Sequence, residues 1–232
     1  MKTIGLLGGM SWESTSAYYR LLNEKVKARL GGLHSARVLL HSVDFAPIAA
    51  LQAAGKWDEA GDILARAAKG LEAAGADVML IGTNTMHLVA PQVAEAISIP
   101  LLHIADATAE AIKPRGIKKV GLLGTRFTME KHFYKGRLRD HHGIETVVPD
   151  DEDRETVHRI IYEELCLGVV SEGSRKAYLG ITDKLAAAGA ECIILGCTEI
   201  GLLVEQQHTT LPLFDTTNLH AEAAVTFATE GL

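Results

Sequence analysis

The two halves of this 232-residue chain repeat one another in order. Ile4-Gly5-Leu6-Leu7-Gly8 returns as Val120-Gly121-Leu122-Leu123-Gly124, 116 residues on. Ala74-Gly75-Ala76-Asp77, followed by Leu80-Ile81-Gly82-Thr83, returns as Ala188-Gly189-Ala190-Glu191 and Ile194-Leu195-Gly196-Cys197, 114 residues on. Ile99-Pro100-Leu101-Leu102 and Ala109-Glu110-Ala111 return as Leu211-Pro212-Leu213-Phe214 and Ala221-Glu222-Ala223, 112 residues on. Three motifs in one order at a nearly constant interval point to a duplicated unit. Such a unit can pack about a pseudo-two-fold axis. Equivalent loops then face each other across a cleft, with Thr83 opposite Cys197.

Each half alternates short apolar runs with helical patterns. Thr3–Leu7, Val38–Val43, Val78–Ile81 and Leu101–Ile104 read as strands in the first half. Helices are expected from Ser14 or Thr15 to Gly31, from Asp58 to near Gly75, over Thr85–Ala96 with an early interruption at Pro91, and over Asp106–Lys113. The second half repeats the order, with strands at Val120–Leu123, Ile144–Val148, Cys192–Leu195 and Leu211–Phe214. Its helices are expected over Met129–Asp140, from Val157 toward Gly168, over Ser174–Ala187, briefly after Thr198, and over Leu219–Thr229. This alternation specifies an α/β fold: two similar lobes with parallel-type sheets flanked by helices. The Pro/Gly/Lys-rich stretch Lys113–Lys119 sets the expected boundary, giving an N-terminal lobe of 1–113 and a C-terminal lobe of 114–232. The last helix is able to pack back onto the first lobe. Ligands in such sheets bind beyond the carboxyl ends of the strands, where Gly8–Met10, Thr83–Thr85, Thr125 and Cys197–Glu199 fall.

Apolar residues make up 47% of the chain, enough for two buried cores, and the net charge is −6. With no basic block and no aromatic-basic interleaving, nucleic acid is not an expected partner. The N-terminal run is short, broken by glycine and followed by Glu13, so it reads as a first strand and not as a signal peptide. No run approaches the roughly 18 apolar residues of a membrane span. Cys166, Cys192 and Cys197 form no framework pattern, which suits a reduced, cytoplasmic setting.

Cys197 follows a buried-type strand and precedes a short helix. Helix N–H groups there would stabilise a thiolate and lower its pKa below ~8.5. The alternative is a buried structural cysteine, the reading kept for Cys166 and Cys192. Cys197 differs from those two because it occupies a loop position whose repeat counterpart is the polar Thr83. Thr83-Asn84-Thr85 reads both as a helix cap and as a cradle for a carboxylate. Gly5–Met10 lacks the G-x-G-x-x-G spacing, so its glycines are better explained by close approach of backbone to a small ligand than by a dinucleotide. His87, His103 and His220 read as packed or hydrogen-bonding groups, His141-His142-Gly143 as a solvated turn, and Asp150–Asp153 as an acidic helix start. No H-E-x-x-H pattern or cysteine cluster suggests a metal.

At these same residues the chain resembles the cofactor-independent aspartate/glutamate racemase family. Gly8-Gly9-Met10-Ser11-Trp12-Glu13-Ser14-Thr15 is similar to the N-terminal signature of its aspartate-racemase branch. Thr83-Asn84-Thr85-Met86-His87 resembles the first catalytic block, Cys-Asn-Thr-x-His, and Gly196-Cys197-Thr198-Glu199 the second. Phe214-Asp215-Thr216-Thr217 with His220-Ala221 resembles the C-terminal element. The resemblance runs over essentially the whole chain. It implies an active site between two lobes, with two cysteines on opposite faces of the substrate, one removing the α-proton and the other delivering one. It implies no cofactor, neither pyridoxal phosphate nor metal, and a homodimer.

The chain departs from the family where Thr83 replaces the first cysteine. A hydroxyl is a far weaker acid than a thiol. By resemblance, Cys197 serves the L-enantiomer and Thr83 is the weak partner on the D face. Also by resemblance, Asn84, Thr85, Thr125 and Thr198 bind the α-carboxylate and amino groups, Met10 (through its backbone) and Gln52 face the substrate side chain, and Glu199 orients the amino group. The expected activity is a slow amino-acid racemase acting on aspartate or glutamate. Three alternatives stay open: a broad-specificity racemase, a decarboxylase of the same superfamily using one cysteine, and a non-catalytic amino-acid-binding protein.

Overall fold

The apolar runs become parallel strands in a computed structural model that describes Met1–Leu232. Their contacts divide the chain into two units: Met1–Ile104 with His220–Leu232, and Ala105–Leu219. The first unit runs β1 (Ile4–Gly8), α1 (Trp12–Leu30), β2 (Val38–Ser42), α2 (Phe45–Ala53), α3 (Trp57–Ala73), β3 (Val78–Ile81), a 3-10 turn at Thr85–Val89, α4 (Ala90–Glu95) and β4 (Leu101–Leu102). Its sheet has the order β2-β1-β3-β4, all parallel. The chain continues through α5 (Ile104–Ile112), β5 (Lys119–Gly124), α6 (Arg126–Glu130), α7 (His132–His142), β6 (Glu145–Val147), α8 (Asp151–Glu163), α9 (Glu172–Ala187), β7 (Ile193–Gly196), α10 (Ile200–Leu203) and β8 (Leu213–Asp215) of the second unit, and ends in α11 (Thr216–Thr229), which from His220 on belongs to the first. The second unit contains β5 to β8. Its sheet repeats the pattern as β6-β5-β7-β8, again parallel. No helix is long and apolar enough to cross a membrane.

Strands β1, β3 and β7 are buried along their whole length, and β5 beyond Lys119, which explains why they read as continuous apolar runs and not as alternating ones. Equivalent acids open them. Asp77 accepts the Thr3 N–H at 2.6 Å, and Glu191 accepts the N–H groups of Lys118 and Lys119 at 2.9 Å. In the first unit one face of the sheet packs Leu7, Met79 and Ile81 against α3 through Leu64, Ala68 and Leu71. The other face packs Ile4, Leu6, Val78 and Leu80 against Tyr18, Leu22 and Val26 of α1 and against Ala221, Ala224, Val225 and Ala228 of α11. The second unit packs Leu123, Ile193 and Leu195 with Val157, Ile160 and Ile161 of α8 and Ile181 and Leu185 of α9.

Several elements differ from the sequence reading for local reasons. The cap of α1 is Ser11, whose hydroxyl accepts from the Ser14 N–H, so the helix begins earlier than Ser14. The stretch after β3 is a 3-10 turn followed by α4, with Pro91 in the first turn of α4, where its missing N–H costs nothing. A β-conformation at Lys131 splits the helix expected over Met129–Asp140 into α6 and α7. Helix α2 had no counterpart in the reading; its signal is Asp44, which caps the Ala46 N–H.

The division between units falls at Ile104, ahead of the expected boundary after residue 113. Side chains of α5 explain this. Asp106 receives Arg137 Nε and Nη2 at 2.7 and 2.6 Å and His142 Nε2 at 2.8 Å, and Tyr134 donates to Thr108. Burial works against the Asp106 charge, but the bonds from Arg137 and His142 outweigh it and hold the carboxyl below its usual range. The chain returns to the first unit at His220 in α11. Glu222 takes Lys25 and Arg29 of α1 at 2.9 and 2.7 Å, the more exposed Arg29 pair being worth about 0–1 kcal/mol.

His220 is fully buried at this return. Its Nε2 lies 2.9 Å from the Leu102 carbonyl, which can only accept, so Nε2 carries the proton. Nδ1 therefore accepts from the Tyr18 hydroxyl at 2.9 Å. Burial pushes the imidazole pKa down to about 4, against about 6.5 in an unfolded chain. Above pH 6.5 both states are neutral and the stabilisation is complete. As pH falls from 6.5 toward 4 the unfolded chain takes up a proton that the folded one does not, and stability is lost, by about 3 kcal/mol in all. Urea unfolding of wild type and His220→Gln between pH 7 and 4 tests this. The wild type is expected to lose stability more steeply over that range, and parallel curves would remove His220 as the cause.

Candidate functional site

In the first unit two loops leave adjacent strand ends. Leu7 of β1 pairs with Ile81 of β3, and the Gly82 N–H donates to the Leu7 carbonyl at 2.8 Å. The loop after β1 is held by Thr15, whose hydroxyl accepts the Gly9 N–H at 2.7 Å and donates to the Ser11 carbonyl at 2.8 Å. Gly9 has φ +88, and a Cβ there would lie 2.2 Å from the Val43 carbonyl, so no other residue fits. The Met10 side chain is buried in the core, leaving its backbone as the part that lines the loop.

After β3 come Thr83, half-buried, and Asn84 and Thr85, both buried. Asn84 occupies the cap position of the 3-10 turn without making a side-chain cap bond to it. Gln52 is buried on α2 and donates its amide to the Met86 sulfur at 3.0 Å, one residue along from Thr85. His87 fixes this turn. Its Nδ1 lies 2.8 Å from the Thr83 carbonyl and must donate to it, so Nε2 is the acceptor for the Ile104 N–H at 3.2 Å. A neutral His87 thus ties the backbone of Thr83 to that of Ile104, within the first unit. The hydrogen-bonding role expected of His87 is met by the residue four positions before it, Thr83.

In the second unit Gly124 of β5 pairs with Gly196 of β7, so Thr125 and Cys197 leave neighbouring strand ends. Thr125 caps α6, accepting the Thr128 N–H at 3.3 Å. Thr198 accepts a hydrogen bond from Thr217 at 3.2 Å, and Thr216 donates to the Leu195 carbonyl at 2.9 Å, which fastens the loop after β8 to the loop after β7. Cys197 is half-buried, and its Sγ donates to Glu199 Oε2 at 2.9 Å. Glu199 is buried.

This geometry reverses one expectation. The helix beyond Cys197 is a single turn, Ile200–Leu203, too short to favour a thiolate strongly. Burial and then the Glu199 charge push the Cys197 thiol well above its ordinary pKa. Two full negative charges at that separation would repel by about 6 kcal/mol at an effective dielectric near 20. Cys197 at rest is a thiol bonded to a carboxylate. Cys192 lies in the strand region, buried, with its thiol pushed up to about 12 by burial, the profile of an inert packing residue.

Of the residues singled out, Met10, Gln52, Thr83, Asn84 and Thr85 belong to the first unit, and Thr125, Cys197, Thr198 and Glu199 to the second. Within each unit they gather at the carboxyl ends of the two central strands, apart from Gln52 on α2. No three His, Cys, Asp or Glu side chains converge in a way that could hold a metal ion.

The Asp/Glu/Hydantoin racemase family model matches residues 7–224. A crystal structure of a candidate Asp/Glu racemase from Yersinia pestis superposes with a TM-score of 0.93 at 59% identity, covering 98% of this chain and 99% of that one. That of an aspartate racemase homologue from Pyrococcus horikoshii OT3 gives 0.87 at 36% identity, covering 99% and 100%. The broad specificity amino-acid racemase RacX of Bacillus subtilis (strain 168) is 23% identical over 162 residues, 67% of this chain and 66% of that protein. With the family model spanning nearly the whole chain, this protein belongs to the Asp/Glu/Hydantoin racemase family.

Proposed function

We propose that this chain interconverts the L- and D-forms of an acidic amino acid, with Cys197 as the base for the L-enantiomer and Thr83 as the proton carrier for the D face. The enzyme class follows from the family: it is a pyridoxal-phosphate-independent amino-acid racemase. The substrate and the residue roles are the proposal. The observation that supports it best is the matched placement of Thr83 and Cys197 on the loops that follow the two equivalent strands β3 and β7. A racemase needs proton carriers on both faces of one carbon, and a duplicated fold offers equivalent positions for them. Asn84, Thr85, Thr125 and Thr198 supply amide and hydroxyl groups at the same strand ends for the α-carboxylate and amino group. The Met10 backbone and Gln52 complete the proposed side-chain subsite. A homodimer and a cytoplasmic location belong to the same reading, and light scattering of the purified protein tests the first.

Enantiomers have equal free energy in water, so both directions must share one kcat/KM whatever the catalytic residues are. A weak Thr83 slows racemisation as a whole and redistributes kcat and KM. It leaves α-proton exchange on the L side free to outrun turnover.

Cys197→Ser is therefore expected to lower deuterium exchange at the α-carbon of L-aspartate or L-glutamate by at least about 100-fold, a barrier increase of about 2.7 kcal/mol. Cys166→Ser and Cys192→Ser are expected to leave exchange near wild type. NMR in D₂O measures it, and undiminished exchange in Cys197→Ser would reject Cys197 as the base. Running the assay on neutral and basic amino acids separates an acidic preference from broad specificity, and monitoring CO₂ excludes or reveals decarboxylation.

Thr83 generates the second expectation. Thr83→Ala removes only the opposite-face carrier, so racemisation by chiral chromatography should fall while exchange of the L-enantiomer persists. Thr83→Cys should raise kcat in the D-to-L direction by about 10-fold or more, with kcat/KM rising equally in both directions. Wild-type turnover in Thr83→Ala, with no gain in Thr83→Cys, would assign the second proton to water or another side chain.

A further inference from the structure

The proposed base, Cys197, has no resting thiolate to work with. Its sulfur sits 2.9 Å from Glu199 Oε2, and a carboxylate at that distance can only accept the thiol proton. Glu199 is buried and follows the thiol by two residues at the head of the single-turn α10. Burial, and after it the Glu199 carboxylate, disfavour a thiolate at this sulfur. Burial raises the phenols of Tyr162 on α8 and Tyr178 on α9, and Arg126 is the positive group near Tyr162, its guanidinium within 3.4 Å of Glu155. Losing the thiol proton to solvent would leave sulfur and carboxylate both negative at hydrogen-bond distance.

We propose that Glu199 is a catalytic residue of the racemase, the acceptor that takes the Cys197 proton and so generates the thiolate when an L-amino acid is bound. The inference rests on the reading of Cys197 as the L-side base. In the activating step the S–H bond breaks and an O–H bond forms on Glu199 Oε2. The negative charge passes from the carboxylate to sulfur, so the pair carries one negative charge before and after and no charge is added to a buried site. In the next step the substrate Cα–H bond breaks, its electron pair stays on carbon, and the proton forms a new S–H bond. Cys197 is then a thiol beside a neutral carboxylic acid, ready to return either proton when the reaction runs toward the L-form. No oxidant, reductant or third reactant enters.

This role differs from holding the substrate ammonium, and the two separate in experiment. Under the proposal, Glu199→Gln lowers L-side α-proton exchange by about 100-fold or more while KM stays within about 3-fold of wild type. The same substitution removes the negative charge beside sulfur, so the pH midpoint for alkylation of Cys197 by iodoacetamide, followed by peptide mass spectrometry, moves down by a unit or more. The thiol thus becomes more reactive as the enzyme becomes less active. Glu199→Asp keeps a carboxylate and should retain exchange above the Gln variant. A KM raised tenfold or more with exchange turnover intact would instead make Glu199 an ammonium ligand and overturn the proposal, as would an unchanged alkylation profile. Wild-type protein supplies a test that needs no variant: its Cys197 midpoint should lie above the ~8.5 of a free cysteine, and a midpoint below 7 overturns the proposal. If Cys197→Ser is inactive and Glu199→Gln behaves as wild type, only the Glu199 step fails. If Cys197→Ser keeps exchange, the base assignment itself fails.

Discussion

The strand ends of both units depend on backbones that come closer than a side chain allows. Gly82 donates its N–H to Leu7, and a Cβ on Gly82 would stand 3.0 Å from that carbonyl. In the second unit a Cβ on Gly196 would stand 2.9 Å from the Leu123 carbonyl, and one on Gly124 3.0 Å from the Gly196 carbonyl. Glycine at or just after the last strand position lets neighbouring parallel strands keep their close approach to the end. The next residue, Thr83 in one unit and Cys197 in the other, then emerges where the sheet stops. The glycine-bearing motifs that repeat along the sequence therefore mark the positions from which a proposed catalytic side chain departs.

Much of this was legible in the chain. Continuous apolar runs located β3 to the residue, because a strand buried on both faces has no polar positions to blur its limits. The repeat gave the number of units and the equivalence of their strand ends. The unit boundary was less legible. Lys113–Lys119 carries the composition of a linker, but a boundary is set by where side chains bond. Asp106 with Arg137 and His142 commits α5 to the second unit well before Pro114. Those partners lie 31 and 36 residues beyond Asp106 in sequence and share no periodic pattern with it. Helix α2 was missed because it is short and almost uniformly apolar, without an amphipathic stripe to betray it.

The candidate site shows a different limit. Residue types and loop positions were readable, whereas the electrostatic balance at Cys197 was not. A cysteine before a helix suggests a stabilised thiolate, yet the sign of its pKa shift depends on what approaches within hydrogen-bond range. A buried carboxylate at 2.9 Å outweighs the partial charge of one helical turn. Glu199 was assigned to the substrate by resemblance alone, since two residues of spacing say nothing about whether a side chain turns toward its neighbour or away. His87 is the complementary case: four residues after Thr83, it bonds back to the Thr83 carbonyl through a tautomer set by its two partners.

The duplication preserves architecture more strictly than acid–base chemistry. The offset that aligns Thr83 with Cys197 also aligns Thr85 with Glu199, so the first unit lacks both the thiol and the adjacent acid. A thiol beside a carboxylate holds one movable proton without a change in net charge. A threonine followed two residues later by another threonine holds none, and a proton leaving Thr83 must strand an alkoxide or draw on solvent. Under the proposed roles of Cys197 and Thr83 the barrier on the D face is the higher one, each tenfold in rate being about 1.4 kcal/mol. Equal free energies of the enantiomers forbid this asymmetry from appearing in kcat/KM. It has to appear in the partition between kcat and KM in each direction and in the ratio of L-side exchange to net turnover. The chemical difference between two equivalent loops is thus readable in the kinetics only where exchange and racemisation are measured on the same sample.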